Sequence, residues 1–421
     1  MNSVSNTTHI AVSKLLVVLL IFVYVLSCLD IIFPFSISRM IQVTTIVAIF
    51  LFITIFVIPS DDISQIGSSI LVCSLYVLIY RVVGYSHAGW GNALMQISFF
   101  SSIAIAIYCV SVLSNRHCIL VYYAIILILL FSLLQDVLIN QSYSYFNSED
   151  VEEMEELGSN VDWTPYSTMT LFLYSVSLLV LLNSSEWIVK LFHAFILLAS
   201  LYYIIFCSAR GSVTVLMFLT TFLLLYSKFS NIDVFFKILF IAVLTILLVA
   251  LLFDINSILY FLIRISPNDR LTDRLYDLMN VYNEGLSEDS FSGRFELELI
   301  SIRTWLQSPR TLLLGIGDQR LSGSGLELYY MTGIGGHSEI IDSLARFGLI
   351  GFSMMAVLYY RISVYIMSLF DDNAVKKQVK IILFVFVITA FTKAVLFHVI
   401  GITFCMLFPI SSRIINKRQM L

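Results

Sequence analysis

Long apolar runs separated by short polar turns make up most of this chain. Runs such as "LLVVLLIFVYVLSCL" and "ILFIAVLTILLVALLF" contain no charged residue. A helix rises about 1.5 Å per residue, so about 20 apolar residues cross a hydrocarbon layer about 30 Å thick. The pattern predicts about twelve membrane-spanning helices. The expected spans are residues 11–33, 41–58, 66–83, 93–113, 118–138, 167–183, 188–208, 212–227, 234–254, 347–370, 379–393 and 395–412.

The composition agrees with a membrane location. Hydrophobic residues make up 59% of the chain and charged residues 12%, whereas soluble proteins are near half apolar and a quarter charged. We therefore expect an all-α polytopic membrane protein in three parts. These are residues 1–254 with about nine spans, a large outer loop over 255–346, and C-terminal spans with a tail over 347–421. The first apolar run follows Lys14 without a small-residue cleavage site, which favours a retained span over a signal peptide.

The distribution of lysine and arginine predicts which loops face the cytoplasm. The tail "SSRIINKRQML" and the turn "DDNAVKKQVK" are basic, as short cytoplasmic ends usually are. An even number of spans places both chain ends on that side. The turn "CSARGS" (207–212), the acidic loop 139–166 and the segment 255–346 then lie on the outer face.

The long outer segment is rich in arginine, which translocated loops of modest length normally avoid. Its arginines are Arg264, Arg270, Arg274, Arg294, Arg303, Arg310, Arg320 and Arg346. The cluster favours an anionic ligand, although a loop of this length also tolerates arginine as a solvated domain. The acidic stretch over residues 147–162 is interpreted as a solvated loop.

Several classes of site have no pattern here. The six cysteines lie within spans or at their ends and form no CxxC pair, so we interpret them as packing residues. There is no zinc signature, no Walker loop and no basic patch for nucleic acid. The halves of the chain do not repeat, which makes a transporter built from inverted repeats less favoured.

One polar stretch stands at the start of a predicted span, "GGHSEIIDSLARFGLIG" (335–351). Ser338 is the expected N-cap of the helix, and His337 beside the positive helix end is expected to be neutral and able to accept a proton. Asp342 and Arg346 have the i, i+4 spacing of an ion pair. Gly348 and Gly351 would let another element pack closely. A locally hydrogen-bonded interfacial histidine is the alternative for His337.

These residues together carry a resemblance. "SARGS" at an outer span end, a large loop with "SGRFELELISIRTWLQSPRTLLLGIG", and then "HSEIIDSLARFGLIG" resemble the O-antigen polymerase and ligase superfamily of bacterial envelope glycosyltransferases. His337 and Gly348 match that family's pattern of histidine, ten residues, glycine. The resemblance covers roughly residues 200 to 370. It departs from a companion arginine pattern of some polymerases, because Thr221 stands eleven residues after Arg210; Arg274 and Gly285 have that spacing within the loop.

The resemblance implies transfer of a glycan from an undecaprenyl pyrophosphate carrier to a sugar hydroxyl at the periplasmic face of the inner membrane. No metal and no cofactor is implied. His337 would be the base that takes the hydroxyl proton, and arginines would stabilise the pyrophosphate. The expected pyrophosphate-binding residues are Arg210 and Arg294 first, then Arg270, Arg274 and Arg346. Supporting candidates are Ser338, Asp342, Tyr329 and Tyr330, the tyrosines as sugar-stacking or headgroup-anchoring residues.

Three functional classes are open at this point. A polymerase joins lipid-linked repeat units, and the run "HSEIIDSLARFGLIG" reads more like that class. A ligase shares the chemistry but uses lipid A core as acceptor, and a lipid-linked oligosaccharide flippase is a transporter without need of an outer histidine. The expected partners are lipid-linked glycan donor and acceptor, membrane lipids and a polysaccharide chain-length regulator, but no nucleic acid. Lys393 and His398 are further candidates inside an apolar segment, unless a turn at Lys393 makes it interfacial.

Overall fold

A computed structural model of the chain describes residues 18–26, 61–82, 90–143, 164–204, 211–228, 293–317, 333–336, 338–393, 395–396 and 398–416, with a few isolated positions between 260 and 279. Most of the described residues are helical, with no β-strand among them, so the all-α prediction is confirmed for this part of the chain. Three of the described helices are long and apolar enough to cross a membrane. The qualifying segments are Asn115–Leu134, Tyr166–Asn183 and Glu339–Ser368.

The observed helices follow the predicted spans closely where both are described. They are α1 (Asp61–Val82), α2 (Trp90–Ser111), α3 (Asn115–Tyr143), α4 (Thr164–Asn183), α5 (Trp187–Tyr202), α6 (Gly211–Lys228), α7 (Gly293–Leu306), α8 (Pro309–Leu314), α9 (Glu339–Ser368), α10 (Asn373–Thr392), α11 (His398–Gly401) and α12 (Phe408–Ile415). A π-helical stretch, Ile402–Leu407, joins α11 to α12. The predicted spans 41–58 and 234–254 lie outside the described residues.

Helices α4, α6 and α9 end on the same side of the bundle, where α10 begins. At one end of the bundle, Asn183 at the end of α4 donates to Gln378 of α10 at 2.5 Å and accepts from Lys228 of α6 at 3.0 Å. At that same end, Asn416 donates to the carbonyl of Leu369 at 2.8 Å, just past α9. Because α9 ends there, its beginning at Glu339 lies at the opposite end.

The core of the bundle is aromatic. The rings of Phe386 and Phe404 stack at a centroid distance of 4.0 Å, and Tyr359 stacks on Phe386 at 5.4 Å. Phe172 contacts Phe404 edge-on at 5.5 Å. Rings of α4, α9, α10 and the π-helical stretch thus meet in one layer, where offset and edge-on pairs add to the burial of apolar area.

The cysteines that the structure describes agree with the packing interpretation. Cys109, Cys118 and Cys405 are buried and Cys73 is half-buried, all as free thiols.

The π-helical stretch, which contains Cys405, precedes Pro409. Proline has no N–H to donate to the carbonyl four residues earlier and its ring crowds that carbonyl, so a widened turn before Pro409 is the expected accommodation.

The largest difference from the architecture predicted from the sequence lies between residues 293 and 347. The segment 255–346 was expected to be an outer loop, but the structure places α7 and α8 there, and α9 already begins at Glu339. The predicted boundary between loop and final spans, at residues 346 and 347, therefore falls inside a helix. It falls at a break in that helix, because Gly348 has φ 62° and ψ −171°. We call residues 339–347 the leading segment of α9.

Candidate functional site

The leading segment begins with the predicted cap. Ser338 has an extended backbone, and its hydroxyl accepts a hydrogen bond from the N–H of Ile341 at 3.3 Å. Its side chain is almost fully buried, at 1% exposure. The prediction of Ser338 as N-cap is confirmed, and its hydroxyl satisfies one of the helix's first free N–H groups.

Asp342 joins the leading segment to α7. One carboxylate oxygen accepts from the hydroxyl of Ser301 at 2.6 Å, and the other accepts from the N–H of Ser338 at 3.2 Å. The Ser301 hydroxyl in turn accepts from the N–H of Gly335 at 2.8 Å. Ser301 and Asp342 are both buried, so each of these contacts is shielded from water. The predicted ion pair between Asp342 and Arg346 stays a prediction.

Glu339 joins the leading segment to the turn after α10. One carboxylate oxygen accepts from the N–H groups of Val395 and Leu396 at 3.2 and 3.3 Å. The other accepts from the Ser343 hydroxyl at 3.2 Å. The N–H of Glu339 donates to the carbonyl of Lys393 at 3.2 Å. Val395 and Leu396 lie 56 and 57 positions after Glu339 in the sequence.

Gly348 ends the leading segment, and the carbonyls just before it accept hydrogen bonds from two other elements. A residue with a positive φ breaks the helical hydrogen-bond series, so the preceding carbonyls need new donors. The N–H groups of Ile316 and Gly317 donate to the carbonyls of Ala345 and Arg346 at 2.9 and 2.8 Å. The hydroxyl of Tyr76 in α1 donates to the carbonyl of Phe347 at 2.9 Å. Three carbonyls before the break are thus satisfied from outside the helix.

Glycines make this crossing of two backbones possible. A Cβ on Gly348 would overlap the backbone of Leu313 and Leu314, and a Cβ on Gly315 would lie 2.6 Å from the N of Gly348. Both glycines have positive φ, which other residues rarely adopt. A Cβ on Gly351 would lie 2.5 Å from the ring of Tyr76. The prediction that Gly348 and Gly351 permit close packing is confirmed.

Hydrogen bonds across the turn between α7 and α8 hold these two helices together as one unit. The indole N–H of Trp305 donates to the carbonyl of Leu312 at 3.1 Å. Ser308 caps α8, accepting from the N–H of Thr311 at 3.1 Å, while the Thr311 hydroxyl accepts from the N–H of Ser308 at 2.9 Å. Because this turn is fixed at both ends, the contacts of α7 at Asp342 and those after α8 at Gly348 act on one unit.

A third acid, Glu298, faces the same place from α7. It is half-buried, and both this burial and the nearby Asp342 raise the pKa of its carboxyl above the ordinary value. No local pattern in the sequence indicated this residue. Glu298, Glu339 and Asp342 therefore place three carboxyl groups at this end of the bundle. The carboxylate oxygens of Glu339 and Asp342 accept hydrogen bonds from groups within the protein.

Positive charge lies close to these acids. Arg346, a predicted pyrophosphate-binding residue, is half-buried in the leading segment and interacts electrostatically with Glu339. Lys393 is 7% exposed and ends α10 at the turn that Glu339 holds. Because α10 ends at Thr392, Lys393 lies at a turn. This is the condition under which the sequence predicted an interfacial lysine.

The remaining predicted site residues are described only in part. Arg294 lies in the first turn of α7, without a described side chain, and the side chain of His398 is likewise not described. His337, Arg210, Arg270, Arg274, Tyr329 and Tyr330 lie outside the described residues. The structure does describe both sequence neighbourhoods of His337, at Gly335 and Gly336 and at Ser338.

Together these contacts fix the backbone where four elements meet at the start of α9. Two carboxylates, one buried hydroxyl and a set of backbone N–H groups hold α7, the segment 333–336, the turn 393–396 and the leading segment together. Within the described residues there is no group of three or more histidine, cysteine or acidic side chains able to hold a metal ion. No family model and no curated protein matches this chain.

Proposed function

We propose that the chain is an O-antigen polymerase of the bacterial inner membrane. It would join undecaprenyl-pyrophosphate-linked repeat units in lipopolysaccharide biosynthesis, at a site facing the periplasm. In this proposal about twelve spans carry the chain across the membrane, and residues 255–346 form the periplasmic loop domain that contains α7 and α8. The ends of the bundle that meet at Asn183, Gln378 and Leu369 would then face the cytoplasm.

The observation that carries the proposal is the docking of α7 onto the first turn of α9 through Ser301 and Asp342. A solvated loop without a function would need no buried hydrogen bond to the start of a membrane helix. The docking brings the arginine-bearing loop to the segment that contains His337 in sequence. Reacting groups held in one geometry avoid much of the entropic cost of bringing them together.

The reaction can be written from the residue types. The acceptor sugar hydroxyl forms a bond from its oxygen to the anomeric carbon of the donor, and the bond between that carbon and the pyrophosphate oxygen breaks. His337 takes the hydroxyl proton, a role that contributes about 10²- to 10⁴-fold in rate. The electron pair leaves with undecaprenyl pyrophosphate, whose charge Arg210 and Arg294 stabilise, with Arg270, Arg274 and Arg346 as further contacts. Attack opposite the leaving group inverts the anomeric centre.

The acids near the site also fit this assignment. Glu339 and Asp342 accept hydrogen bonds from neighbouring groups, so they are engaged and do not compete with His337 for the role of base. An anionic pyrophosphate is repelled by free carboxylates, and their engagement with N–H and O–H donors reduces that repulsion. The substrate is therefore expected to meet the arginine side chains and not the acids.

The test is a surface polysaccharide profile on gels from cells that lack this gene. The cells are complemented with the wild type, His337→Ala or His117→Ala at equal membrane abundance. His117 is exposed at the cytoplasmic end of α3 in this topology and serves as the matched control. We expect a ladder of chain lengths with wild type and His117→Ala, and lipid A core carrying a single repeat with His337→Ala.

Two other results would show that the chain has a different function. Polymer that accumulates on the lipid carrier without reaching the core in cells lacking the gene identifies a ligase. Repeat units that stay on the cytoplasmic face in those cells identify a flippase. An unchanged ladder with His337→Ala would show that the histidine is not the base.

A further inference from the structure

Two fixed points bracket residues 336 and 337. The N–H of Gly335 donates to the Ser301 hydroxyl at 2.8 Å, and the N–H of Ser338 donates to Asp342 at 3.2 Å. Ser301 and Asp342 are themselves joined by a hydrogen bond of 2.6 Å. One buried hydroxyl and carboxylate pair therefore holds the chain immediately before and immediately after a two-residue stretch.

Side-chain packing along α7 allows this segment little freedom to slide. Leu297, Ser301 and Thr304 lie at i, i+4 and i+7, on one face of the helix. A Cβ on Gly335 would overlap the carbonyl of Leu297, and a Cβ on Gly333 would lie 2.7 Å from the hydroxyl oxygen of Thr304. The segment 333–336 thus lies directly on α7, and its position is set by that helix.

The two anchors differ from ordinary capping. Ordinary capping satisfies free N–H groups of the first turn from within the helix start, as the Ser338 hydroxyl does for Ile341 and Asp342 does for Ser338. Asp342 does more, because its other oxygen bonds to a helix more than 40 residues away in sequence. A contact of this kind serves to set where the turn stands relative to the loop domain.

We infer that Ser301 and Asp342 are positioning residues, which fix the backbone at Gly335 and Ser338, on either side of His337 in the sequence, so that this histidine can serve in proton transfer. The inference rests on the proposed function for the identity of the reaction, while the geometry concerns the turn alone. Only two residues separate the anchors, so a loss of either anchor lets the turn adopt other backbone conformations. A displacement of about 1 Å at a reacting group costs about 10²-fold in rate.

A purely structural role makes a different prediction. If the pair only docks α7 onto α9, its loss lowers the melting temperature, and the folded fraction keeps its turnover and the environment of His337. A positioning role lowers kcat without a matching change in KM, because a base acts in the transition state and contributes little to donor binding. It also changes the chemical accessibility of the imidazole.

The experiment uses the full chain purified into lipid nanodiscs. Its variants are Ser301→Ala, Asp342→Asn and the conservative Ser301→Thr. The matched control is Ser353→Ala. It removes an exposed serine hydroxyl of the same helix, α9, which donates to the carbonyl of Leu349 within its own helix. Turnover is measured with a lipid-linked repeat unit. Separately, the rate at which diethyl pyrocarbonate modifies His337 is measured by peptide-resolved mass spectrometry, with His117 as internal reference.

We expect Ser301→Ala and Asp342→Asn to lower kcat by about 10- to 10²-fold with KM nearly unchanged. Both should raise the modification rate of His337 several-fold and leave that of His117 unchanged. Ser301→Thr, which keeps the hydroxyl, should recover most of both properties, and Ser353→Ala should match wild type.

The two readouts separate the two proposals. Unchanged modification of His337 in Ser301→Ala and Asp342→Asn, with folding verified by melting, would overturn the positioning role even in an active polymerase. If the wild-type protein cannot polymerise, but Ser301→Ala and Asp342→Asn still raise the modification rate of His337, the proposed function is overturned and the positioning of His337 stands. If Ser301→Ala does not fold, Asp342→Asn and Ser301→Thr give the same comparison.

Discussion

At its start α9 is held by hydrogen bonds, whereas further along the same helix it is held by aromatic rings. The leading segment is fixed by the carboxylates of Glu339 and Asp342 and by backbone N–H groups from two other elements. Past the break, Tyr359 of the same helix stacks on Phe386 at 5.4 Å. One helix therefore contains two regions with different physical support.

The two kinds of contact suit different roles in the two regions. Apolar contacts are non-directional, and aromatic cores tolerate repacking while they supply stability. Hydrogen bonds to buried acceptors depend on distance and angle, so they specify one geometry and are costly when one partner is lost. A region that must place a reacting group within a fraction of an ångström is expected to use the second kind.

The largest effect is expected where the two regions meet, at Gly348. Gly348→Ala places a Cβ into the backbone of Leu313 and requires a positive φ from alanine. We expect a loss of stability above about 4 kcal/mol, because neither backbone can give way without breaking the hydrogen bonds of Ile316 and Gly317. Thermal melting of the purified protein and limited proteolysis of residues 293–317 measure it.

Gly67→Ala is the matched control for that substitution. A Cβ at Gly67 meets nothing within 4 Å, and Gly67 lies inside helix α1. Alanine is there expected to be neutral or slightly stabilising. A Gly348→Ala protein that melts like Gly67→Ala would contradict the backbone crossing at the break.

The aromatic core is expected to respond differently. Phe404→Ala removes a fully buried ring that contacts Phe386, Tyr359 and Phe172. We expect a loss of about 3–5 kcal/mol from the cavity left behind. Turnover per folded molecule should stay close to wild type, because the change leaves the leading segment's hydrogen bonds in place. Melting and turnover measured on the same sample check both parts.

Phe384→Ala controls for the removal of an aromatic ring as such. Phe384 is 57% exposed on α10 and lies outside the aromatic layer. Its loss should cost far less stability than the loss of Phe404. If Phe404→Ala instead abolished turnover at an unchanged melting temperature, the division between a stabilising core and a geometry-setting leading segment would be wrong.

The helices were predictable because each depends on its own stretch of sequence. Helices α1 to α6 and α10 lie within a few residues of the predicted runs, since a long apolar run between polar turns is a local signal for a helix. The cap at Ser338 and the close approach at Gly348 were predictable for the same reason. Serine before a helix and glycine at a crossing are local signals.

The contacts that build the site could not be predicted in this way. Ser301 and Asp342 are 41 residues apart, and Glu339 and Val395 are 56 apart. Nothing local in "ISIRTW" indicates that its serine faces an aspartate of another helix. Glu298 was missed for the same reason, since its environment is created by Asp342 and not by its own neighbours. Such pairs depend on which faces of distant helices meet.

The smallest predicted effect concerns Glu298 and depends on pH. Burial and Asp342 raise the pKa of its carboxyl above the ordinary value of 4.5. A carboxyl whose pKa is raised in the folded state costs stability once it is ionised. The cost is absent below the ordinary value and is fully present above the raised one, so stability falls as pH rises between them. Glu298→Gln removes the titrating group and should raise the melting temperature slightly at neutral pH.

The pH dependence is what separates this explanation from a simple packing effect. Well below pH 4.5 the wild-type carboxyl is protonated in both the folded and the unfolded state, so the melting temperatures of wild type and Glu298→Gln should converge there. Glu186→Gln, at an exposed glutamate on the opposite end of the bundle, should leave the melting temperature unchanged at both pH values. A stabilisation by Glu298→Gln that persisted unchanged into acid would mean that the amide packs better, and that the acids around Asp342 do not repel one another.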